Sequence, residues 1–251
     1  MKPGSASPSA VILAAGVGRR LGAADGKPKI LLQFGGKSLL QRHLEALRAN
    51  GVTDIALTVG HQADLIRAAL EEFEAGAGVA CIDNPRYREG SLVSLWAQRA
   101  RLQEGRDVVL MDGDVLYDSR MIARLLAAAP ENVLLVDQQI EPGDEPVKIC
   151  FREGLIVDFR KKPEHLHDWH GESVGFFRFS GAMAGALAAR CGDYVEAGKT
   201  SVEYEEAIRD CILAEPERFG AEDISDLPWT EIDFDEDVMR ARDSILPQLQ
   251  K

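Results

Sequence analysis

The 251-residue sequence contains no apolar run long enough to cross a bilayer as a helix. Its start, Lys2-Pro-Gly-Ser-Ala-Ser-Pro-Ser9, lacks the apolar core of a secretion signal and reads as a flexible leader over residues 1–9. Positive charge is in deficit: 29 Lys and Arg face 41 Asp and Glu, a net charge of −12. That balance argues against nucleic acid or an anionic membrane as partner. Cysteine is sparse, with four residues (Cys81, Cys150, Cys191, Cys211) and no C-x-x-C spacing. Free buried thiols in a reducing cytoplasm are the first reading, with disulfides or a metal as minor alternatives. No nucleophile–base pair of the hydrolase kind stands out either.

Against those absences stands one dense segment, Val11-Ile-Leu-Ala-Ala-Gly-Val-Gly-Arg-Arg-Leu-Gly22, followed by Lys27-Pro-Lys29. An apolar run feeds a glycine-rich turn and then a set of cations. Free backbone N–H groups in such a loop suit a polyphosphate. Gly16 and Gly18 let the backbone approach an anion unobstructed. Arg19, Arg20, Lys27 and Lys29 supply charge for phosphate oxygens. Spacing excludes two common phosphate motifs. Gly22 falls one place late for G-x-G-x-x-G, and Gly22 to Lys27 is too short for a P-loop.

Short β-rich runs at Ala10–Ala14, Ile55–Val59, Val79–Ile82, Val108–Met111 and Val133–Val136 alternate with helical spacing. The helical segments are Leu39–Ala49, Ala63–Glu74, Leu92–Gln103 and Ser119–Ala128. This order predicts an α/β, Rossmann-like three-layer sandwich on a mostly parallel mixed sheet. A hairpin is expected over Val147–Phe151 and Leu155–Phe159, with further strands at Ser173–Phe179 and Trp229–Phe234. Helices are expected near 181–190, 202–213 and Glu236–Leu246, the last capped by Asp235. With no repeat or linker, residues 10–251 read as one domain. Residues 10–140 and 141–251 read as its two halves. An apolar face within 180–215 is the surface on which a homodimer would form.

Leu110-Met-Asp-Gly-Asp-Val115 places Asp112 and Asp114 at the end of an apolar strand, pointing the same way on an extended chain. Carboxylates there suit Mg²⁺, although a capping or turn role is open. Trp229-Thr-Glu-Ile-Asp-Phe-Asp235 alternates Glu231 and Asp233 around Ile232, so both face away from it. His165-x-His167-x-x-His170 lies in a polar segment without cysteine partners and reads as a solvated loop rather than a metal site.

The stretch Leu13 to Leu21 with Pro28-Lys29-Ile30-Leu31 resembles the L-A-A-G-x-G-[ST]-R-[LM]…P-K-x-L signature of the nucleotidyltransferases that act on sugar and alcohol phosphates. Arg19 stands where Ser or Thr is usual. Asn84-Pro-Arg-Tyr-Arg-Glu-Gly-Ser91 with Leu92-Val-Ser-Leu-Trp96, and the W-x-E-I-D segment, are similar to cytidylyltransferases for phosphocholine and inositol phosphate. The resemblance implies a nucleotide site from Leu13, Ala14, Ala15, Gly16, Gly18, Arg19, Arg20, Lys29, Asn84, Gly90, Ser91 and Asp112. For Ser91, a helix N-cap is the competing role. It further implies Mg²⁺ on Asp114 and Asp233, and Arg20 and Lys29 as the catalytic cations.

Lys161, Lys162 and Glu172 would meet the acceptor, though a lysine pair on an exposed turn is an equal reading for the first two. The implied reaction joins CMP from CTP to a small phospho-alcohol or phosphonate with loss of pyrophosphate. Phosphocholine is the first candidate acceptor, ahead of inositol phosphate, 2-aminoethylphosphonate and glycerol-type phosphates. The rivals are a sugar-1-phosphate nucleotidyltransferase and a catalytically silent nucleotide-binding protein.

Overall fold

A computed structural model describes residues 7–18, 20–21, 26–140, 143 and 145–249. Arg19 and residues 1–6 of the expected leader lie outside the described residues. The chain begins with β1 (Ser9–Ala14), so Ser9 is already strand. A tiny hairpin, β2 (Gln33–Phe34) and β3 (Lys37–Ser38), leads to α1 (Leu39–Ala49). Ser38 caps that helix by accepting from the Gln41 N–H at 3.1 Å. Next come β4 (Ile55–Val59), α2 (Ala63–Glu71), β5 (Ala80–Asp83), α3 (Ser91–Ala97), α4 (Arg99–Leu102) and β6 (Val108–Asp112). Then follow β7 (Val115–Tyr117), α5 (Arg120–Ala127), β8 (Asn132–Asp137), β9 (Lys148–Arg152), β10 (Leu155–Arg160) and β11 (Trp169–Phe179). The chain closes with α6 (Gly181–Glu196), α7 (Tyr204–Ala214), β12 (Phe219–Asp223), β13 (Trp229–Glu231) and α8 (Asp235–Arg240).

The main sheet runs β10-β9-β11-β6-β1-β4-β5, with β8 on the other side of β11 and β12 paired to β8. Strands β6, β1, β4 and β5 are mutually parallel. The long β11 is antiparallel to β6, β8 and β9 and joins the two halves. This is the expected three-layer, Rossmann-like arrangement on a mixed sheet. Alternate side chains of each central strand serve opposite faces. Ala10 and Ile12 pack with α1, α2 and α5, while Val11 packs with α3, α4, α6 and α7.

Several elements differ from expectation. The helix foreseen over 92–103 breaks at Gln98, whose buried amide donates to Thr58 Oγ1 at 3.0 Å. β11 starts at Trp169 because its first residues pair with β9. His170 therefore lies in a strand, with its Nδ1 3.0 Å from His167 Nε2. β12 was not foreseen, because Phe-Gly-Ala-Glu-Asp has little strand propensity and depends on β8 for its pairing. The last strand ends at Glu231, and Asp235 does not cap the closing helix. Instead Asp237 accepts from the N–H groups of Asp233 and Phe234 at 2.9 and 2.8 Å.

The apolar face expected for a homodimer is largely spent inside the chain. Met183, Leu187, Cys191, Ile208 and Ile212 belong to the core. All four cysteines are free thiols. Among the described residues no helix is long and apolar enough to cross a membrane.

Candidate active site

β1 delivers the chain to the carboxyl edge of the parallel strands, where ligands of such sheets bind. The loop is pinned there by main-chain bonds. The Gly113 N–H donates to Leu13 O at 3.0 Å, and the His61 N–H donates to Ala15 O at 3.1 Å. A pocket of about 340 Å³ opens beside it, lined on one wall by Leu13, Ala15, Gly16 and Gly18. Its other wall comes from Tyr87, Gly90, Ser91 and Glu203, with Asp112 and Asp114 at the far end. A smaller hollow of about 90 Å³ between Ala14, Gly18 and Asp114 holds the Lys29 side chain at its rim.

Beyond Asp112 and Asp114 the pocket joins a second cleft of about 750 Å³. This cleft is acidic: Asp137, Glu172, Glu203, Glu205, Glu231 and Glu236 are among its walls, against Arg20, Lys161 and Arg240. Ser91, Asp112, Asp114 and Glu203 line both cavities, so the two spaces meet at those residues.

The meeting point is built by a strand pair of which only the second member, within Trp229–Phe234, was expected from the sequence. β7 and β13 are antiparallel, with Glu231 opposite Val115. The Ile232 N–H donates to Asp114 O at 3.0 Å. Ile232 is buried, so Glu231 and Asp233 turn the other way, as the alternation predicts. Carboxylate oxygens of Asp114, Glu231 and Asp233 consequently lie within 4.8 Å of one another.

Lys29 Nζ donates to Asp114 Oδ2 at 2.8 Å and to Asp233 Oδ1 at 2.6 Å. Burial acts to lower the Lys29 pKa, but the Asp114 and Asp233 charges outweigh it and hold the ammonium above its ordinary range. Oxygen-only donors suit a hard cation such as Mg²⁺, and the lysine shows that the cluster already accommodates positive charge. The residues present therefore fit such an ion. Arg20 reaches one carboxylate of the cluster from the rim, 3.4 Å from Asp233 Oδ2, and lies 3.3 Å from Glu145 Oε2.

Asp112 plays a different part. Tyr204 Oη donates to its Oδ2 at 2.6 Å. Burial first, then the Asp114 and Glu205 charges, push its pKa well above the usual carboxylate range. Gly175 makes this placement feasible. It sits at φ +77°, where β11 shifts register against β8, and a Cβ there would lie 2.2 Å from Asp112 Oδ2.

His43, fully buried behind the loop, supports Gly113 from below. Its Nε2 lies 3.2 Å from Gly113 O, which can only accept, so Nε2 carries the proton and Nδ1 accepts from Tyr117 Oη at 3.3 Å. Burial lowers its pKa to about 4.

The predicted residues divide clearly. Leu13, Ala14, Ala15, Gly16, Gly18, Lys29, Gly90, Ser91, Asp112 and Asp114 come together at the loop pocket and its hollow. Arg20, Lys161, Glu172 and Asp233 line the acidic cleft. Asn84 lines neither. It is buried, donates to Ser94 Oγ at 3.0 Å and shapes the loop beneath the pocket. Lys162 is exposed and outside both linings. Ser91 is the first helical residue rather than the N-cap, which is Gly90. Its hydroxyl donates to Glu203 Oε2 at 2.6 Å and accepts from the Tyr204 N–H at 2.9 Å, tying α3 to the start of α7.

Sequence reasoning missed Asp137, Glu205 and Arg240. Asp137 ends a strand beside the cleft and accepts from Trp229 Nε1 at 2.8 Å. Glu205 sits in an unremarkable acidic helix start. Burial above all pushes its carboxyl up to about 8, and its Oε2 is shielded without a hydrogen-bond partner.

Residues 10–174 match the model of the MobA-like NTP transferase domain, and the chain belongs to that family of nucleotidyltransferases. It is 27% identical over 241 residues to the bifunctional IPC transferase and DIPP synthase of Rubrobacter xylanophilus, covering 94% of this chain and 52% of that protein. It is 28% identical over 249 residues to the CMP-5'-(3-aminopropyl)phosphonate synthase of Streptomyces rubellomurinus, covering 92% of this chain and 38% of that one. The chain thus spans about half or less of the length of these two relatives. Among solved structures, the inositol-1-phosphate CTP transferase of T. maritima superposes with a TM-score of 0.75 at 20% identity. That match covers 93% of this chain and 92% of the other and shows the shared fold.

Proposed function

We propose that this enzyme transfers CMP from CTP to the phosphate or phosphonate of a small phosphorylated alcohol, with Mg²⁺ and release of pyrophosphate. The observation that carries the reading is the convergence of Asp114, Glu231, Asp233 and Lys29 where the glycine-loop pocket opens into the acidic cleft. The names of its relatives, a CMP-phosphonate synthase and, by fold, an inositol-phosphate CTP transferase, support CTP as donor.

In this reading the loop from Leu13 to Gly18 cradles the triphosphate with its backbone. Gly90 and Ser91 border the base, and Asn84 holds their loop in shape. An acceptor phosphate oxygen attacks the α-phosphorus as the bond to the pyrophosphate oxygen breaks. A phosphate monoester has a second pKa near ~6 and is already largely anionic at neutral pH, so no general base is required. That agrees with a site in which carboxylates and cations converge. Lys29 and Arg20 stand where they can offset charge moving onto the leaving group. Asp114 and Asp233, with Glu231 beside them, would hold Mg²⁺, which supplies charge neutralisation for the reacting phosphates.

Lys161 at the cleft wall is placed to meet the acceptor phosphate. The surplus of carboxylates around Glu172 and Glu203 favours an acceptor with a cationic head. Phosphocholine is therefore the first acceptor to test. The half upstream of residue 140 would serve the nucleotide and the half downstream the acceptor.

The test is pyrophosphate release with Mg²⁺ for CTP, UTP, GTP, ATP and dTTP against phosphocholine, inositol-1-phosphate, aminoethylphosphonate and glucose-1-phosphate. Release with CTP and an alcohol phosphate or phosphonate is expected. Release only with the sugar phosphate would move the chain to sugar-nucleotide synthesis. Nucleotide binding without any release would make it a silent binder.

A further inference from the structure

Lys29 stands in an unusual place for a phosphate-binding lysine. Its ammonium lies between Asp114 and Asp233, 2.8 and 2.6 Å from oxygens of the very cluster that would hold a divalent cation. The side chains of Lys29, Asp114 and Asp233 are only 16%, 23% and 28% exposed, so water does not readily substitute for any of them. Each carboxylate has a second oxygen, but a divalent cation on this pair would lie within a few ångströms of the ammonium in a partly buried site, where the two positive charges repel strongly. The lysine has somewhere else to go. Its stem runs past Gly18, where a Cβ would lie 3.3 Å from Lys29 Cγ, and it borders the hollow next to the glycine loop.

We propose that Lys29 and the divalent cation are alternating occupants of the Asp114–Asp233 pair. The ammonium holds the two carboxylates together in the ligand-free enzyme. The entering cation displaces it toward the phosphates on the glycine loop, so one side chain couples metal loading to nucleotide loading. This rests on the nucleotidyltransferase reading of the site. The coupling is reciprocal: phosphates that attract the released ammonium also strengthen cation binding.

The test is Mn²⁺ binding, read from the electron paramagnetic resonance signal of the free ion, without nucleotide. Lys29→Gln, checked by melting as folded, is expected to bind Mn²⁺ on the order of tenfold more tightly than wild type. Lys29→Arg keeps a cation between the carboxylates and should stay near wild type. Arg20→Gln removes a half-exposed charge near Asp233 without vacating the position and should shift affinity by less than about threefold.

A second readout needs no variant. Acetylation of Lys29 in the wild type, mapped by mass spectrometry, should rise when Mn²⁺ alone is added and fall again with pyrophosphate. Equal or weaker Mn²⁺ binding by Lys29→Gln, or Lys29 labelling indifferent to saturating Mn²⁺, overturns the inference. If CTP turnover persists in that case, the assigned reaction stands. Absence of both Mn²⁺ binding and pyrophosphate release would overturn the reaction as well.

Discussion

The two cavities that meet at Asp114 are built in opposite ways. The loop pocket is lined mainly by two short stretches of chain, Leu13–Gly18 and 87–94, closed by Asp112, Asp114 and Glu203. The acidic cleft is made of side chains from β6, β8, β11, α7, β13 and α8, few of them near one another in sequence. A pocket that presents N–H groups binds any polyphosphate. A cleft that presents carboxylates from many elements selects what sits beside it. The difference teaches that a common reaction and a particular substrate preference can be carried by separate parts of one sheet edge.

The sharpest way to break this comparison is at the junction. Asp114→Asn, which leaves the loop pocket and most of the cleft intact, should lower turnover by at least ~10²-fold, as expected on losing a preorganised charged group. Near wild-type pyrophosphate release in a folded Asp114→Asn protein would refute the junction as the reacting centre. Gly175→Ala attacks the cleft from its floor, because the new Cβ would need φ +77° and would collide with Asp112. A loss of about 1–3 kcal/mol in a denaturant titration is expected, and an unchanged midpoint would show that β11 relaxes freely there.

Acceptor charge sharpens the contrast further. Phosphocholine should exceed glycerol phosphate in kcat/KM by about tenfold, ~1.4 kcal/mol, if the carboxylates select a cationic head. Equal values would remove the cleft's role in selection.

The last contrast concerns pH and is read as a shift of several degrees in Tm. His43, below the loop, has a folded pKa lowered to about 4 from an ordinary 6.5. Its contribution is present above pH 6.5 and is lost as pH falls toward 4. Glu205, in the cleft, has a folded pKa raised to about 8 from 4.5. Its contribution is present below pH 4.5 and is lost as pH rises through 8. Melting curves across this range should lose their acid slope in His43→Gln and their alkaline slope in Glu205→Gln.

Much of the glycine-loop side was legible because its signals are local. Strands β1, β4 and β6 and helix α1 follow from apolar runs and spacing, and the loop follows from its glycines. The carboxylates Asp114 and Asp233 were legible as residue types at strand ends. Their convergence was not, since β7 is only three residues long and nothing local pairs it with the strand expected at Trp229. Asn84 shows the limit of motif reading: the residue is in register, yet its amide is spent on Ser94 and the turn at Arg86. The apolar stretch in α6 and α7 looked like a surface for a second subunit because periodicity reports a buried face without saying what buries it.

By itself, the sequence determined an α/β sheet with a glycine-rich loop after its first strand, because apolar periodicity and glycine placement act over a few residues. Only the tertiary structure decided that Lys29 lies between Asp114 and Asp233, partners 85 and 204 residues away. It also decided that carboxylates from scattered elements face a single cleft. Such contacts depend on which strands pair and which way each edge turns, and those choices are made by the packing of the whole chain.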